Sequence, residues 1–513
     1  MTTLTLGKTI AILCAIAAVL LISLFIGIRE RKNGGSAAQF IGASKSFGPI
    51  ATGLASTAAM ASGWLYVGTA GNIYANGNMM VTYIYLPFCF TLGYMFVGKK
   101  IRAMAEITEI STLGDIIDLR YGHSGSTRAM KAFYAVTIGI GCLSYLATQI
   151  SAGCGLVTYL FPTWSKFLGC LALFGIVTVY ILIGGEKGGV ASQAFQGSVM
   201  TIGGLVFMFS FFRFGGFAAK SAALSAVTTV VDEATGYSKT FTPMMASAFG
   251  VDKTGVISMT WLMMPLLFTA AQPSCLNRMY VVKDPRDLPK AGVVSGISQM
   301  LVSFCAMSIG FAMLILVPTG VMGVGSGAEQ ITWKYAEFLG FGTQLLAYAA
   351  ITAGIISSAS MYMTTAANAF AIDFTSSLGF KFDDSRKITA SRIAIAIVGL
   401  FGVLMATFSS ETIAILGTLG YATIGCINFP LFVIGCSWKR ATRKGMTAAA
   451  LIAMIGNIFG FCTNFINISF PKGLPWYMWV IALTMIAAII GSLLTQDEKE
   501  TTLSPQMNAV FNL

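Results

Sequence analysis

Three residues in one apolar stretch have the types and the spacing to hold a small cation. Gly354, Ser357 and Ser358 stand at positions i, i+3 and i+4 within residues 351–374, so on a helix they share one face. Two hydroxyls and an exposed glycine carbonyl are neutral oxygen ligands, which suit Na⁺. The alternative is structural, because small residues at this spacing also allow close helix packing. The spacing alone leaves both interpretations open.

The oxygens that would complete such a site are expected in a second apolar stretch, residues 49–75. This stretch is long enough to cross a bilayer, yet Gly, Ala, Ser and Thr crowd its middle. An interrupted helix survives in a membrane only where it lines a cavity enclosed by protein. We therefore predict a broken helix around Ala61, with the carbonyls of Ala58 and Ala61 facing the two serines.

Titratable groups are nearly absent from the central apolar stretches. The single histidine, His123, lies in a basic segment, and Asp373 lies at the end of its apolar stretch. We expect both to be structural or interfacial, and we expect no Lys or Arg deep in the core. A proton-coupled carrier needs a titrating group inside the membrane. The composition therefore favours a cation held by neutral oxygens over a carboxylate proton relay.

The elements that position these residues follow from the composition. Of 513 residues, 56% are hydrophobic and 10% are charged, whereas soluble proteins have about 25% charged residues. The net charge of +12 comes from short basic clusters between apolar runs, as in cytoplasmic loops rather than in a nucleic-acid-binding surface. Ten cysteines without a CxxC pair indicate reduced apolar side chains and no metal cluster. The chain is predicted to be an integral membrane protein.

Windows of about 20 apolar residues predict about thirteen transmembrane helices, near residues 9–28, 46–75, 77–98, 127–160, 164–184, 187–213, 255–282, 288–318, 342–375, 385–408, 412–435, 445–468 and 474–495. Orientation must alternate from span to span, and every loop that is then placed inside carries Lys or Arg. This distribution follows the positive-inside rule. It predicts an N-terminus outside and a C-terminus in the cytoplasm.

A second interrupted span is predicted at residues 256–282, where Pro273 follows Gln272 at mid-membrane depth. Proline removes a helix hydrogen bond and breaks or kinks the helix. The two breaks open successive groups of five spans with opposite orientation. Inverted repeats with broken helices at corresponding positions are typical of secondary transporters, whose sites lie near the membrane midplane.

The predicted organisation has six parts. They are an N-terminal anchor helix and basic loop (1–45), a first five-helix repeat (46–213), an extracellular loop (214–254), a second inverted five-helix repeat (255–435), two C-terminal helices (436–495) and a cytoplasmic tail (496–513). This is an all-α membrane fold, and the organisation indicates a transporter rather than an enzyme.

The motifs resemble the sodium:solute symporter family, and in particular its bacterial proline and pantothenate branch. The run from Ser62 to Gly68 is similar to the first core helix of that branch. The break at Gln272, followed by Arg278 and the Lys283-Asp284 pair, is similar to the sixth core helix. The sequence Gly-Ile-Ile-Ser-Ser at 354–358, with Ile372 and Asp373 after it, resembles the sodium-site helix. The resemblance covers residues 40–444.

The resemblance implies the LeuT fold, a five-plus-five inverted repeat whose first helices are discontinuous. It implies a sodium site made by the carbonyls of Ala58, Ala61 and Gly354 and the hydroxyls of Ser357 and Ser358. It also implies a solute site beside Trp64, Gly68, Thr269 and the Gln272-Pro273 break. Trp64 has an alternative interpretation as a packing or interfacial aromatic.

The sequence departs from the family pattern at positions that bear on substrate and charge. Met60 stands where proline carriers have an Asp, and Gln193 stands where many members have an Asp. Pro265 and Thr269 lie opposite aromatic residues of the proline pocket. These departures argue against proline as the substrate. Glu186 follows Gly184-Gly185 and is expected to be an ordinary loop charge, with replacement of the lost charge as the alternative.

We therefore expect a Na⁺-coupled symporter that imports a small organic solute by alternating access. The solute classes left open are a monocarboxylate, a pantothenate-like acid and an amino acid. The expected partners are Na⁺, the solute and the lipid bilayer of a bacterial inner membrane, and the oligomeric state is open. Two alternatives are a nutrient sensor that keeps the fold with weak transport, and a Na⁺-independent or proton-coupled carrier of the same fold.

Overall fold

The computed structural model describes residues 6–32, 36–77, 86–233, 236–247, 268–324, 327–408, 413–466, 475–497 and 503–513. Over these ranges the chain is almost entirely helical, and it contains one two-stranded antiparallel sheet. The predicted all-α membrane fold is confirmed. Helices suit such a chain because they satisfy their backbone hydrogen bonds internally, which hydrocarbon demands.

The first half of the chain contains ten helices and the sheet. The helices are α1 (Leu6–Lys32), α2 (Ala37–Gly42), α3 (Pro49–Met60), α4 (Ala70–Asn76), α5 (Leu86–Gly93), α6 (Lys99–Ile107), α7 (Leu113–Tyr121), α8 (Gly125–Leu160), α9 (Lys166–Arg213) and α10 (Gly216–Ala223). Short π-helical segments, Trp64–Thr69 and Tyr94–Gly98, lead into α4 and α6. The strands are β1 (Thr228–Val231) and β2 (Ser238–Phe241), and a 3-10 turn follows at Pro243–Ala246.

The second half begins with a 3-10 turn at Phe268–Ala271. Its helices are α11 (Pro273–Met279), α12 (Leu288–Leu316), α13 (Ile331–Phe338), α14 (Phe341–Asn368), α15 (Thr375–Ser377), α16 (Asp384–Phe408), α17 (Ile413–Asn428), α18 (Gly435–Ser437), α19 (Arg443–Ile466), α20 (Trp476–Leu494) and α21 (Pro505–Phe511). The π-helical segments Ala369–Phe374 and Phe429–Ile434 extend α14 and α17, and 3-10 turns lie at Pro285–Asp287 and Ala328–Gln330.

Nine helices within the described ranges are long and apolar enough to cross a membrane. They are Gly7–Glu30, Gly125–Leu160, Ile181–Arg213, Pro285–Leu316, Phe341–Ser377, Asp384–Phe408, Leu416–Ser437, Arg443–Cys462 and Trp476–Leu494. The predicted spans at 77–98 and 255–282 fall partly outside the described residues, and so does Pro265. The count of thirteen spans therefore stays a prediction.

The first predicted break lies where α3 ends. Met60 is the last helical residue, and Ala61 has an extended backbone with ψ 97°. The chain resumes as the π-helical segment from Trp64 to Thr69 and continues as α4. Because the helix stops at Met60, the carbonyls of its last turn are without the helical partners they would have in a continuous helix.

The second predicted break lies at Gln272. A 3-10 turn ends at Ala271, Gln272 is extended with ψ 147°, and Pro273 is the first residue of α11. Proline is well tolerated at a first helical position, because the missing N–H has no helical acceptor there. Pro273 thus starts a new helix rather than bending a continuous one.

A further break divides α9 at Gly185, which has φ 59° and ψ −168°. The two predicted spans 164–184 and 187–213 correspond to the two parts of α9. A Cβ atom at residue 185 would lie 2.6 Å from Phe40 Cδ2, and positive φ is itself unfavourable for a residue with a side chain. Only glycine fits, and the break sets the direction of the next residue, Glu186.

The β1–β2 hairpin lies against the end of the first broken helix. Lys239 Nζ on β2 donates a hydrogen bond to the Ala75 carbonyl at 3.0 Å, near the C-terminal end of α4, where a cation is favourable. Beyond the hairpin, Met245 approaches so closely that a Cβ on Gly77 would lie 2.5 Å from Met245 Cα. The loop between the two predicted repeats therefore covers this end of the helix.

Candidate functional site

The residues predicted to hold a cation lie together between α3 and α14. The Ser357 hydroxyl donates to the Ala58 carbonyl at 2.5 Å, and the Ser358 hydroxyl donates to the Ala59 carbonyl at 2.9 Å. Ala58, Ala61, Ser357 and Ser358 are fully buried. The sequence prediction brought the right two helices together, and it missed Ala59 as one of the carbonyl partners.

The break in α3 and the glycine in α14 together create this cluster. The Ala61 N–H donates to the Thr57 carbonyl at 2.7 Å, which closes the last helical turn and leaves the carbonyls after Thr57 for other partners. A Cβ on Gly354 would lie 3.0 Å from the Ala61 carbonyl oxygen. Glycine therefore lets α14 approach the broken end of α3.

The ligand set fits a hard monovalent cation. It comprises backbone carbonyl and serine hydroxyl oxygens, which are the ligand types that broken transporter helices offer to Na⁺. Ser357 donates to the Gly354 carbonyl at 3.0 Å as well as to Ala58, but one hydroxyl has one proton for two acceptors. A cation among these oxygens would satisfy carbonyls that the serines alone cannot. No group of three or more His, Cys, Asp or Glu side chains suited to a metal lies within the described residues.

A buried glutamine connects the serine cluster to the next group of polar residues. Gln193 Nε2 donates to the Ser357 carbonyl at 3.1 Å and to the Ser360 hydroxyl at 3.0 Å. Gln193 Oε1 accepts a hydrogen bond from Arg278 Nη2 at 2.6 Å. Both ends of the Gln193 amide are thus hydrogen-bonded, and α14, α9 and α11 meet at this side chain.

Arg278 and Glu186 form a buried ion pair, which contradicts two expectations from the sequence. Arg278 is 0% exposed, and its Nη1 lies 2.7 Å from Glu186 Oε1. Thr364 donates to the second carboxylate oxygen of Glu186 at 3.0 Å. The expectation of no Arg deep in the core was wrong, and Glu186 is not an ordinary loop charge. The break at Gly185 turns Glu186 inward, where its carboxylate compensates the guanidinium.

A polar cavity lies beside this ion pair. Its lining includes both buried carboxylates and several neutral polar side chains, namely Glu186, Asp373, Asn277, Thr364, Thr365, Asn368, Ser111 and Thr112. Asp373 accepts a hydrogen bond from Thr112 at 2.6 Å and lies 3.9 Å from Lys131, so it ties together α7, α8 and the end of α14. His123 is mostly exposed, 3.8 Å from Asp118. Both placements agree with the structural and interfacial roles expected for Asp373 and His123.

Three of the predicted solute-site residues lie around a group of tyrosines. Thr269 Oγ1 and Tyr421 OH are 2.5 Å apart, and Gln272 Nε2 donates to the Tyr421 carbonyl at 3.0 Å. Trp64 packs on α17, since a Cβ on Gly417 would lie 2.2 Å from the indole Cδ1. The two breaks therefore meet at α17.

Gly68 and Pro273, the remaining predicted residues, have a different character. Gly68 is buried in the same π-helical segment as Trp64, and Pro273 is the buried first residue of α11. Neither has a side-chain polar atom to offer a solute. They shape the backbone at the two breaks, and their place in a solute site stays a prediction.

Sequence analysis missed the side chains of α8 and α14 that complete this region. The Tyr145 hydroxyl lies 3.1 Å from Ser62 Oγ, and the rings of Tyr145 and Tyr362 are 4.3 Å apart. Gln149 Oε1 accepts from the Gly63 N–H at 2.8 Å. The available signal was Gln149 itself, a polar residue one turn after Tyr145 inside an apolar span.

Comparisons with known proteins agree with this geometry. The model of the sodium:solute symporter family matches residues 40–458. The osmoregulated proline transporter OpuE of Bacillus subtilis is 25% identical, over 95% of this chain and 96% of that protein. The monocarboxylic acid transporter of Corynebacterium glutamicum is 22% identical, over 98% and 94%. A solved structure of a Na⁺-coupled sialic acid symporter, in a substrate-bound outward-open state, is 17% identical with a TM-score of 0.71, covering 94% of this chain and 98% of that one.

Proposed function

This chain belongs to the sodium:solute symporter family and has the LeuT fold, and we propose that it imports a small organic solute together with Na⁺ held at the Ser357–Ser358 cluster. The observation that carries the proposal is the direct contact between these two hydroxyls and the carbonyls of Ala58 and Ala59 at the break in α3. The five-helix repeats at 46–213 and 255–435 are part of the proposal.

The geometry suggests how cation and solute binding are coupled. A cation held by the Ser357 and Ser358 hydroxyls and by the carbonyls of Ala58 and Ala61 stabilises one arrangement of α3 against α14. Trp64 lies just beyond the same break, so that arrangement also sets the position of the solute region. A ligand that favours one conformation raises the affinity of any other ligand that favours it, and the effect is reciprocal. Na⁺ should therefore increase solute affinity, and solute should increase Na⁺ affinity.

One cation supplies enough free energy for uptake. Moving one charge across about 100 mV contributes about 2.3 kcal/mol, and a tenfold Na⁺ gradient adds about 1.4 kcal/mol. Together they support an accumulation of several hundredfold, on the order of what a nutrient importer needs. The oxygen ligands at the serine cluster form a site for a single cation.

A proton-coupled carrier is the weaker candidate. Its titrating group would have to be a buried carboxylate such as Glu186 or Asp373. Glu186 is paired with Arg278 at 2.7 Å, and Asp373 is hydrogen-bonded to Thr112 and lies near Lys131. Each carboxylate therefore serves as a fixed contact between helices, whereas the neutral oxygens of the serine cluster are the ligand types that broken transporter helices offer to Na⁺.

The orientation in a bacterial inner membrane is part of the same proposal. The C-terminal helix α21 places Phe511 with its ring 5.1 Å from Lys100 Nζ and 4.7 Å from Arg120 Cζ. The tail thus lies on the same face as the basic loop that the positive-inside rule assigns to the cytoplasm. Within the described residues, no observation of this kind favours the nutrient-sensor alternative.

Uptake into proteoliposomes tests the proposal. We expect accumulation of a labelled solute, from a panel of L-alanine, L-lactate and pantothenate, to require an inward Na⁺ gradient. We expect the gradient dependence to be lost when Ser357 and Ser358 are both replaced by Ala. Ser198→Ala is the matched control, because the Ser198 hydroxyl donates only to Ala194 in its own helix. Accumulation that continues without Na⁺, or that survives the double replacement, would overturn the proposal.

A further inference from the structure

Four buried polar atoms around the two breaks lack a hydrogen-bond partner within the described residues. They are Gln149 Nε2, Tyr362 OH, Gln272 Oε1 and Asn428 Oδ1. All four residues are 0% exposed. A buried polar atom without a partner lowers stability. Four such atoms in one region indicate polar contacts that are completed by a ligand.

Hydrogen bonds to the backbone determine which end of each side-chain amide has no partner. Gln149 Oε1 accepts from the Gly63 N–H at 2.8 Å, so its unpaired end is the NH₂ group. Gln272 Nε2 donates to the Tyr421 carbonyl at 3.0 Å, and Asn428 Nδ2 donates to the Ala271 carbonyl at 2.7 Å. Flipping any of these amides would place like groups together, so the hydrogen-bond network determines the assignment. The unpaired set therefore comprises one amide donor on Gln149, two amide acceptors on Gln272 and Asn428, and the Tyr362 hydroxyl, which can act as a donor toward an anion.

The donors and acceptors lie on opposite sides of the tyrosine group. Gln149 binds the first break at Gly63. The Tyr362 ring lies 4.3 Å from the Tyr145 ring at an angle of 34°, and the Tyr145 hydroxyl lies 3.1 Å from Ser62 Oγ. Both donors are thus on the side of the first break.

Gln272 and Asn428 lie at the second break, one within it and one bonded to Ala271. The Tyr421 ring lies 6.4 Å from the Tyr145 ring and connects the two sides. A ligand between the breaks would therefore meet donors at one end and acceptors at the other.

We propose that these four atoms select the solute, and that it is a small monocarboxylate that also carries a hydrogen-bond donor. Gln149 and Tyr362 would bind its carboxylate. Gln272 and Asn428 would accept from an ammonium or hydroxyl group at its other end. This inference rests on the proposed function and narrows the solute class within it.

The same atoms explain which solutes are excluded. A carboxylate without a donor would leave the oxygens of Gln272 and Asn428 desolvated and unpaired, and sites with unpaired polar groups discriminate strongly. A dicarboxylate would bring its second negative charge to those two oxygens. Arg278, the buried cation nearby, is already held by Glu186 and Gln193. Neither a donor-free acid nor a dianion should bind well.

Matched acids of equal size separate the possibilities. We would measure the thermal stability of the purified chain in NaCl with L-alanine, L-lactate and propionate, with the branched set L-valine, 2-hydroxyisovalerate and isovalerate, and with succinate. We expect the donor-bearing acids of at least one set to bind at least tenfold more tightly than the donor-free acid. The amino and hydroxy acids show whether the donor is an ammonium or a hydroxyl group. Equal binding by a donor-free acid, tighter binding of succinate, or no binding in either set would overturn the proposal.

Two conservative substitutions test the donor end. Gln149→Glu keeps an oxygen for the Gly63 N–H but replaces the NH₂ group with a negatively charged oxygen, so the affinity for the best acid should fall at least tenfold. Tyr362→Phe keeps the ring contact with Tyr145 and removes only the hydroxyl, so a loss of about threefold to tenfold is expected. Tyr335→Phe is the control, because the Tyr335 hydroxyl is paired with Ser210 at 2.6 Å, outside this region.

Stabilisation by Na⁺ alone, measured against KCl without any acid, distinguishes this inference from the proposed function. If Na⁺ still stabilises Gln149→Glu and Tyr362→Phe while their solute affinity is unchanged, the cation site stands and the solute assignment is wrong. If Na⁺ has no effect on the unmodified chain, the proposed function itself fails.

Discussion

The serine cluster and the Arg278–Glu186 pair are both hydrogen-bonded to Gln193. The first consists of neutral groups, and the second consists of charged groups. At Ser357 and Ser358 every group is neutral, and the oxygens belong to hydroxyls and to backbone carbonyls. At Arg278 two full charges lie 2.7 Å apart and are buried. Both clusters are out of contact with water, so the difference concerns function rather than exposure.

The comparison shows what each arrangement can tolerate. Neutral oxygens can hold a cation and release it, because their own desolvation is modest when the site is without the ion. A buried charge that loses its partner lowers stability by several kcal/mol, on the order of 3–5, so a charged pair must stay assembled. The neutral cluster suits an ion that comes and goes, whereas the charged pair suits a fixed connection between α9 and α11.

The largest expected effect is on the charged pair. Arg278→Leu leaves the Glu186 carboxylate buried without its cation, and we expect a loss of about 3–5 kcal/mol in the free energy of unfolding. Thermal unfolding of the purified chain, followed by tryptophan fluorescence, measures it. Arg286→Leu is the control, because Arg286 is 92% exposed beside Asp284 and surface pairs contribute little. Equal stability of the two variants would remove the distinction between the clusters.

Ser357→Ala should give the reverse pattern at the neutral cluster. In the proposed site the Ser357 hydroxyl is a ligand of the cation, so its loss should weaken Na⁺ affinity by about tenfold to a hundredfold. Stability in KCl should fall by no more than about 0.5–1.5 kcal/mol, since the Ser358 hydroxyl remains 3.4 Å from the Ala58 carbonyl oxygen. Titration of the thermal midpoint with NaCl at constant ionic strength gives both quantities. A large loss of stability in KCl with unchanged Na⁺ affinity would contradict a cation-binding role.

Gln193→Leu should show a smaller mixture of both effects. Arg278 keeps Glu186 but loses the partner of Nη2, so stability should fall by about 1–3 kcal/mol. Ser357 keeps its hydroxyl but loses the amide at its carbonyl, and Na⁺ affinity should fall by less than about tenfold. The same two titrations measure these changes. An unchanged Na⁺ affinity would show that the two clusters act independently.

The smallest effect concerns Lys220, a buried cation that lies over two aromatic rings. Lys220 Nζ on α10 lies 4.8 Å from the centre of the Phe311 ring and 5.2 Å from that of Phe217. Loss of hydration lowers the pKa of Lys220 from 10.5 to about 8. Between these two values the unfolded chain binds the proton that the folded chain has released, so stability rises with pH across that window.

The thermal midpoint of Lys220→Met, compared with that of the unmodified chain between pH 7 and pH 10.5, measures this contribution. We expect the variant to be relatively more stable near pH 7 and this advantage to shrink as the pH rises through about 8. If the difference in thermal midpoint does not vary with pH, burial does not lower the pKa of Lys220.

Sequence reasoning succeeded where a local pattern determines the outcome. The small residues before Ala61 and the dipeptide at Gln272 reported the two breaks directly, because backbone geometry depends on neighbouring residues. The i, i+3, i+4 spacing in α14 placed Ser357 and Ser358 on one face. The predicted break at Ala61 supplied the facing carbonyls of Ala58 and Ala61, and the family resemblance implied the same set.

Sequence reasoning failed where the contacts depend on packing between segments that are distant in the chain. The contact between Glu186 and Arg278 cannot be predicted from their spacing in the sequence. It depends on the break at Gly185 and on the position of α11. Gln149 was missed for the same reason, since its role depends on the first break lying beside α8. A sequence pattern indicates which face of a helix a residue occupies. The packing of the helices determines which residues that face contacts.

The break at Gly185 also constrains the order in which substitutions can accumulate. Residues 186 and 193 both reach Arg278, so the negative charge that it needs can come from either position. The family resemblance implies an Asp at the position of Gln193. A substitution series that moved the charge from residue 193 to residue 186 would leave Arg278 buried without a carboxylate unless Glu186 were introduced first. Gly185 is the precondition for either order, since a side chain there would collide with Phe40.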